Sequence, residues 1–168
     1  MGKVVWAPWR MAYIMSEKAA GCIFCDKPRQ QRDAENYILW RGSTAFVMLN
    51  LYPYNNGHLM VVPHAHVASL TELTAPQRAE ILDLTATCED ILFQALHPDG
   101  FNIGMNLGAA AGAGIAEHLH LHIVPRWAGD TNYMTVVGEI RVIPQHIDHT
   151  YQLLVPYFQI RHARTSQT

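Results

Sequence analysis

Residues 118–122 read His-Leu-His-Leu-His, and the apolar alternation continues through Ile123 and Val124. Alternate side chains of an extended strand point to opposite faces. Leu119, Leu121 and Ile123 are therefore predicted to enter a core, with His118, His120 and His122 sharing the other face. Imidazoles spaced about 6–7 Å apart along one strand make a poor core and a good reactive surface. Near neutral pH an imidazole can titrate, attack a phosphorus or carbonyl centre, or hold a metal.

The segment just upstream suggests what such a row would act on. Gly108-Ala109-Ala110-Ala111-Gly112-Ala113-Gly114 leaves main-chain N–H groups uncovered by side chains, and a loop of that kind can wrap a phosphate. A glycine-alanine loop alone is often a plain connection. This one ends four residues before His118, which places it beside the imidazole row. A nucleophile next to an anion cradle is what phosphoryl or nucleotidyl transfer requires.

Cys22 and Cys25 are spaced as a zinc half-site, because two thiolates three positions apart can both reach a tetrahedral ion. No thioredoxin-like strand-then-helix context supports a redox dithiol instead. A closed site needs two further ligands. His58, His64, His66 and one member of the row are available, and the spacing leaves that choice open. His66 and His118 are favoured, since ligating His118 would anchor the chain two residues from the central imidazole. Such a structural zinc would also tie the N-terminal segment to the sheet.

The elements that must position these groups are legible in outline. Strands are expected at Tyr37–Trp40, Ala45–Leu49, Leu59–Val62 and Phe101–Leu107, with the histidine strand following. Tyr52-Pro53-Tyr54-Asn55-Asn56-Gly57 reads as a loop. A long helix is predicted over residues 74–97: Thr74 to Gln77 has a capping-box pattern, and Ile81, Leu84, Cys88, Ile91, Leu92 and Ala95 recur at helical spacing. Cys88 lies on that apolar stripe and is read as core. The charged stretch Asp26–Glu35 reads as exposed and mobile, and Tyr151–Phe158 as a short helix interrupted by Pro156. The simplest pairing sets Phe101–Leu107 antiparallel to the histidine strand across the seven-residue glycine-rich loop.

Bulk properties narrow the class. The chain has 168 residues, 49% hydrophobic and 15% charged, with a formal net charge of -2 and ten histidines. One globular domain with a real core is expected. No basic cluster suggests a nucleic-acid partner, and no apolar run reaches the roughly 20 residues of a membrane span. Three cysteines including a tight pair favour metal or redox chemistry in a cytoplasmic setting over a disulfide framework.

His118-Leu119-His120-Leu121-His122-Ile123-Val124 resembles the signature of the histidine-triad (HIT) superfamily of nucleotide hydrolases and transferases. Asn50 to Val62, with Pro53 and Gly57-His58, is similar to that superfamily's nucleoside-binding hairpin, and Pro63-His64-Ala65-His66 to its Pro-x-x-His element. Trp6-Ala7-Pro8-Trp9-Arg10-Met11-Ala12-Tyr13-Ile14, Cys22-Ile23-Phe24-Cys25, Glu117-His118 and Pro125-Arg126-Trp127 resemble the bacterial diadenosine-tetraphosphate phosphorylase-like branch. The resemblance implies an α+β, HIT-like fold: a mainly antiparallel five-stranded sheet, one long helix and short additional helices. It implies a single domain over 1–168, with an N-terminal extension (1–35) carrying the Cys pair, a catalytic core (36–127) and a C-terminal extension (128–168).

Residue by residue, the resemblance implies that His120 is the nucleophile, forming a covalent nucleotidyl-histidine, and that His122 contacts phosphate. Asn50 corresponds to a ribose-binding position, His58 lies in the same pocket, and Asn106 corresponds to a phosphate-binding amide. Cys22, Cys25, His66 and His118 correspond to zinc ligands in metal-bearing relatives, the zinc being structural and not needed for the chemistry. Many relatives carry Gln and Ser or Thr where this chain has Gly114 and Ile115. Backbone N–H groups, with Gly112, must then serve the phosphates, and the space gained suits inorganic phosphate as second nucleophile. The expected reaction converts diadenosine tetraphosphate and phosphate to ADP and ATP. Hydrolysis of dinucleoside polyphosphates or nucleotides is the alternative. A nucleotide-binding regulatory module with little turnover is a further alternative, distinguished by trapping an adenylyl-enzyme. A homodimer is also implied, with Trp6, Trp9 and Tyr13 apolar enough to cover its interface.

Overall fold

In the computed structural model, residues 21–130 and 145–165 are described; Trp6, Trp9 and Tyr13 lie outside them. The described chain opens with two short helices, α1 (Ile23–Arg29) and α2 (Asp33–Asn36). Strands β1 (Ile38–Arg41), β2 (Ala45–Leu49) and β3 (Leu59–Pro63) follow, then the long helix α3 (Ala75–Leu96). Strands β4 (Gly100–Met105) and β5 (Leu121–Arg126) and helix α4 (Ile147–Thr165) complete the described chain. The strands form one antiparallel sheet in the order β1-β2-β3-β5-β4. The fold is α+β, as expected.

Each sheet face is covered by different helices. Val47, Leu49, Leu59, Val61, Leu121 and Ile123 pack against Ile81, Leu84, Cys88, Ile91 and Leu92 of α3 and Leu154 and Phe158 of α4. Phe46, Met48, Met60 and Val62 project from the other face, where Phe24 of α1 covers them. Strands β2 and β3 are thus buried on both sides, which is why they read as continuous apolar runs rather than alternating ones. Removing this apolar area from water stabilises the fold at about 25 cal/mol per Å².

The start of α3 follows the expected chemistry. The Thr74 hydroxyl accepts from the Gln77 N–H at 3.4 Å, while the Gln77 side chain accepts from the Thr74 N–H at 2.8 Å. The same helix sets the β1–β2 turn, because Glu80 accepts from the Ser43 and Thr44 N–H groups.

Three expectations change. Residues 26–35 are not a loose stretch but α1 and α2; Phe24 and Pro28 are buried, and Arg41 binds both Asp33 and the Pro28 carbonyl. Pro156 lies inside α4 without ending it, since Leu154 and Phe158 on either side are anchored in the core. The histidine strand is shorter than the pattern suggests. Its ladders to β3 and β4 both begin at Leu121, so residues 106–120 join β4 to β5 and only His122 of the triad lies in a paired strand. Pro63 ends β3, and Leu119 instead donates its N–H to the Val67 carbonyl at 2.7 Å.

Candidate active site

The segment that precedes β5 still alternates. Leu119 and Leu121 enter the core, while His118, His120 and His122 are 0%, 6% and 9% exposed. His122 is fixed by register: it pairs with Met60 on β3 and Gly104 on β4. A Cβ at Gly104 would meet nothing within 4 Å, so the sheet leaves open space beside His122.

Main-chain carbonyls decide which nitrogen each imidazole offers. Nε2 of His118 lies 2.9 Å from the Pro63 carbonyl oxygen. A carbonyl only accepts, so this nitrogen carries the proton and Nδ1 keeps its lone pair. Two residues on the arrangement is reversed. Nδ1 of His120 lies 2.8 Å from the His118 carbonyl oxygen, so Nδ1 donates and Nε2 keeps the lone pair. Burial, above all, pushes the titration of both rings below the ordinary histidine range. His122 is pushed down to about 4, by burial first and then by the neighbouring His120. The triad is therefore neutral at physiological pH.

The lone pair of His118 faces a donor cluster. Its Nδ1 is 3.2 Å from Cys22 Sγ, 3.6 Å from Cys25 Sγ and 3.2 Å from His66 Nδ1. Cys25 Sγ is 3.4 Å from His66 Nδ1, and all four donor atoms lie within 4.8 Å of one another. Ligands around a tetrahedral zinc with Zn–S near 2.3 Å and Zn–N near 2.0 Å stand about 3.3–3.8 Å apart, so the donor set fits that ion. His58 and His64 are not part of the cluster. Desolvation, reinforced by Cys22, raises the Cys25 thiol pKa; a cation would reverse this and release protons on binding.

The cluster and the triad share helix α1. Phe24, between the two cysteines, sets its ring centroid 5.4 Å from that of His118 and 4.9 Å from that of His120. The loop between β2 and β3 closes the far side. Asn50 accepts the Tyr52 N–H on Oδ1 at 2.9 Å, and its amide nitrogen lies 3.4 Å from His58 Nδ1. Each amide atom of Asn50 keeps one further bonding position. His58 is fully buried, with Nε2 2.9 Å from His122 Nδ1. Gly57 makes this turn feasible: it has φ +73°, and a Cβ there would meet Leu96 at 2.5 Å.

The glycine-rich loop is more ordered than its composition implies. Ala109–Ala111 form a 3-10 turn, and the Gly112 N–H donates to the Ala109 carbonyl at 3.0 Å. That amide is occupied in this conformation, contrary to its expected availability for phosphate. Ile115 packs against the Phe24 cluster. Asn106 stands one residue beyond the end of β4. A separate groove of about 430 Å³, lined by Asp33, Leu39, Trp40, Arg41 and Phe158, contains none of the triad. Phe24, Tyr54 and the Pro63 carbonyl were not singled out by sequence reasoning. For Phe24 the position between the paired cysteines was an available signal; for the Pro63 carbonyl there is none.

Comparison with known proteins agrees with this geometry. The HIT domain family model matches residues 31–129. The chain is 42% identical over 159 residues to a Mycobacterium tuberculosis protein named AP-4-A phosphorylase, covering 89% of this chain and 81% of that one. A zinc-bound histidine triad family protein from Mycobacterium smegmatis superposes with a TM-score of 0.68 at 27% identity, covering 85% of this chain and 97% of its own. A hypothetical histidine triad nucleotide-binding protein from Sulfolobus tokodaii shares the fold, with a TM-score of 0.67 at 24% identity over 83% of this chain and 93% of its own. The alternating imidazoles, the sheet that carries them and these matches lead to one assignment: the chain belongs to the HIT domain family.

Proposed function

We propose that this protein is a nucleotidyl-transferring enzyme that converts diadenosine tetraphosphate and inorganic phosphate to ADP and ATP through a covalent adenylyl-His120. The observation that carries this reading is the 2.8 Å contact from His120 Nδ1 to the His118 carbonyl. It leaves Nε2 of a neutral, buried imidazole as a nucleophile with a fixed direction.

In the first step the Nε2 lone pair forms a bond to the α-phosphorus, and the P–O bond to the departing ATP breaks. His120 then carries an adenylyl group and positive charge on its ring, with the Nδ1 proton held by the carbonyl. In the second step a phosphate oxygen attacks the same phosphorus, the P–N bond breaks, ADP leaves and the imidazole is neutral again. The charge developing on the transferred group must be met by fixed donors. Candidates are His122, the Asn106 amide and main-chain N–H groups near Gly114 and Ile115. Gly112 would serve only after giving up its bond to Ala109. Asn50 is assigned to the ribose hydroxyls, through the bonding positions the loop leaves it.

Cys22, Cys25, His66 and His118 are proposed to hold a structural zinc, which would supply cross-linking of α1 to the sheet and no step at phosphorus. The fit of the donor distances and the zinc-bound relative support this. Among the described residues no helix is long and apolar enough to cross a membrane. A cytoplasmic homodimer is proposed on the resemblance to paired relatives, and sedimentation will test it.

Product analysis tests the reaction directly. With diadenosine tetraphosphate and phosphate, ADP and ATP are expected in equal amounts, and omitting phosphate should slow turnover. Release of AMP and ATP at the same rate with or without phosphate would make the protein a hydrolase. No products at any phosphate concentration would favour a binding module.

A further inference from the structure

His58 is buried too completely to meet a substrate, yet both its ring nitrogens are engaged. Nδ1 lies 3.0 Å from the Tyr54 backbone N–H. That N–H can only donate, so Nδ1 is unprotonated and the proton of His58 must sit on Nε2. The Asn50 amide nitrogen, facing the same Nδ1 at 3.4 Å, agrees with this polarity. Nε2 in turn lies 2.9 Å from His122 Nδ1, and a donor there requires His122 Nδ1 to accept. The remaining proton of a neutral His122 is then confined to its Nε2.

We infer that His58 is a positioning residue, through which the Tyr54 amide fixes the tautomer of His122 so that His122 presents an N–H to phosphate. The consequence is a division of polarity between adjacent triad members. His120 turns a lone pair outward from Nε2, because its Nδ1 proton is held by the His118 carbonyl. His122 turns a proton outward from the equivalent atom. Were His122 in the other tautomer, two lone pairs would face the anionic substrate, and a donor at the phosphate would be lost. The ring of Tyr54 lies tilted against the pair, its centroid 4.7 Å from that of His58 and 5.7 Å from that of His122. This role rests on the nucleotidyl-transfer reading, because it concerns which imidazole donates at phosphate.

The measurement is ¹⁵N–¹H correlation of the imidazole nitrogens in the full-length, metal-loaded protein at neutral pH. The expected pattern is Nδ1–H on His120 and Nε2–H on both His58 and His122. A proton on His58 Nδ1 or on His122 Nδ1 in the wild type overturns the inference without any variant. His58→Leu should then lose the single tautomer of His122 and slow adenylyl-enzyme formation about tenfold or more. His58→Gln, which offers both an acceptor and a donor, should restore most of the rate. Equal loss in the two variants at unchanged melting temperature would contradict the relay. Failure of the wild type to form adenylyl-His120 would defeat the underlying reaction instead, and leaves the tautomer pattern as a separate result.

Discussion

His118 and His120 are two residues apart in one segment, and they are prepared for opposite uses. His118 spends Nε2 on the Pro63 carbonyl and turns Nδ1 to Cys22, Cys25 and His66. His120 spends Nδ1 on the carbonyl of His118 and keeps Nε2 for the pocket. The side chains are identical; the nearby carbonyl differs. A ligand and a nucleophile both need a deprotonated nitrogen, and here the backbone determines which nitrogen that is. The Cys/His donor cluster and the surroundings of His120 are therefore joined through one peptide carbonyl and through Phe24, and on the proposed reading they should fail in different ways when disturbed.

The largest expected difference comes from His120→Ala. Turnover of diadenosine tetraphosphate should fall below about one per cent of wild type, as expected for a lost nucleophile. Nucleotide affinity by calorimetry and metal content should remain. Cys25→Ser should do the reverse. Metal content, read by atomic emission, is expected to fall, with a loss of about 3 kcal/mol of stability, or roughly 6–12 °C in melting temperature. A Cys25→Ser protein with unchanged melting temperature would mean the cluster does not brace the fold.

Gly57→Ala probes the loop on the far side of the pocket. With φ +73° and Leu96 at 2.5 Å from the added carbon, about 2 kcal/mol should be lost, with the Cys/His donor cluster unaffected. Chemical denaturation and metal analysis together separate the two regions. The smallest effect concerns pH. His122 titrates near 4 when folded, against 6.5 for its ordinary value. Between these values the unfolded chain binds the extra proton, so stability rises with pH. This contribution is fully present above about 6.5 and is lost as pH falls towards 4. At pH 5.5 the wild type should have lost about 1 kcal/mol more than His122→Gln, relative to pH 7.5. Identical pH dependence in the two proteins would remove His122 from the account.

Much of this arrangement was written in residue types. The period of two in residues 118–124 separates His from Leu, and the core does receive Leu119, Leu121 and Ile123. The spacing of Cys22 and Cys25 marked half of a candidate metal site, His66 and His118 were favoured to complete it and agreed with the resemblance, and the four donors do converge. The boundaries of β2 and of α3 were also legible, from a compact apolar run and a capping box. What escaped notice depends on groups that every residue possesses. The Pro63 carbonyl and the Tyr54 amide set the polarity of His118, His58 and His122, and no side chain announces them. Helix α1 was missed because so short a helix draws its stability from packing Phe24 and Pro28 rather than from periodicity. The glycine-rich loop was read as open because composition cannot show that Ala109 accepts the Gly112 N–H.

The central claim is that His120 bonds covalently to the incoming nucleotide while His118 does not. Rapid acid-free quenching with diadenosine tetraphosphate, in the absence of phosphate, followed by proteolysis and mass spectrometry will locate the adduct. One adenylyl group on the peptide containing residues 118–122, assigned by fragmentation to His120 and discharged as ADP when phosphate is added, is the result expected. Adenylylation of His118 or His122, or product formed with no adduct at any time point, would contradict the account.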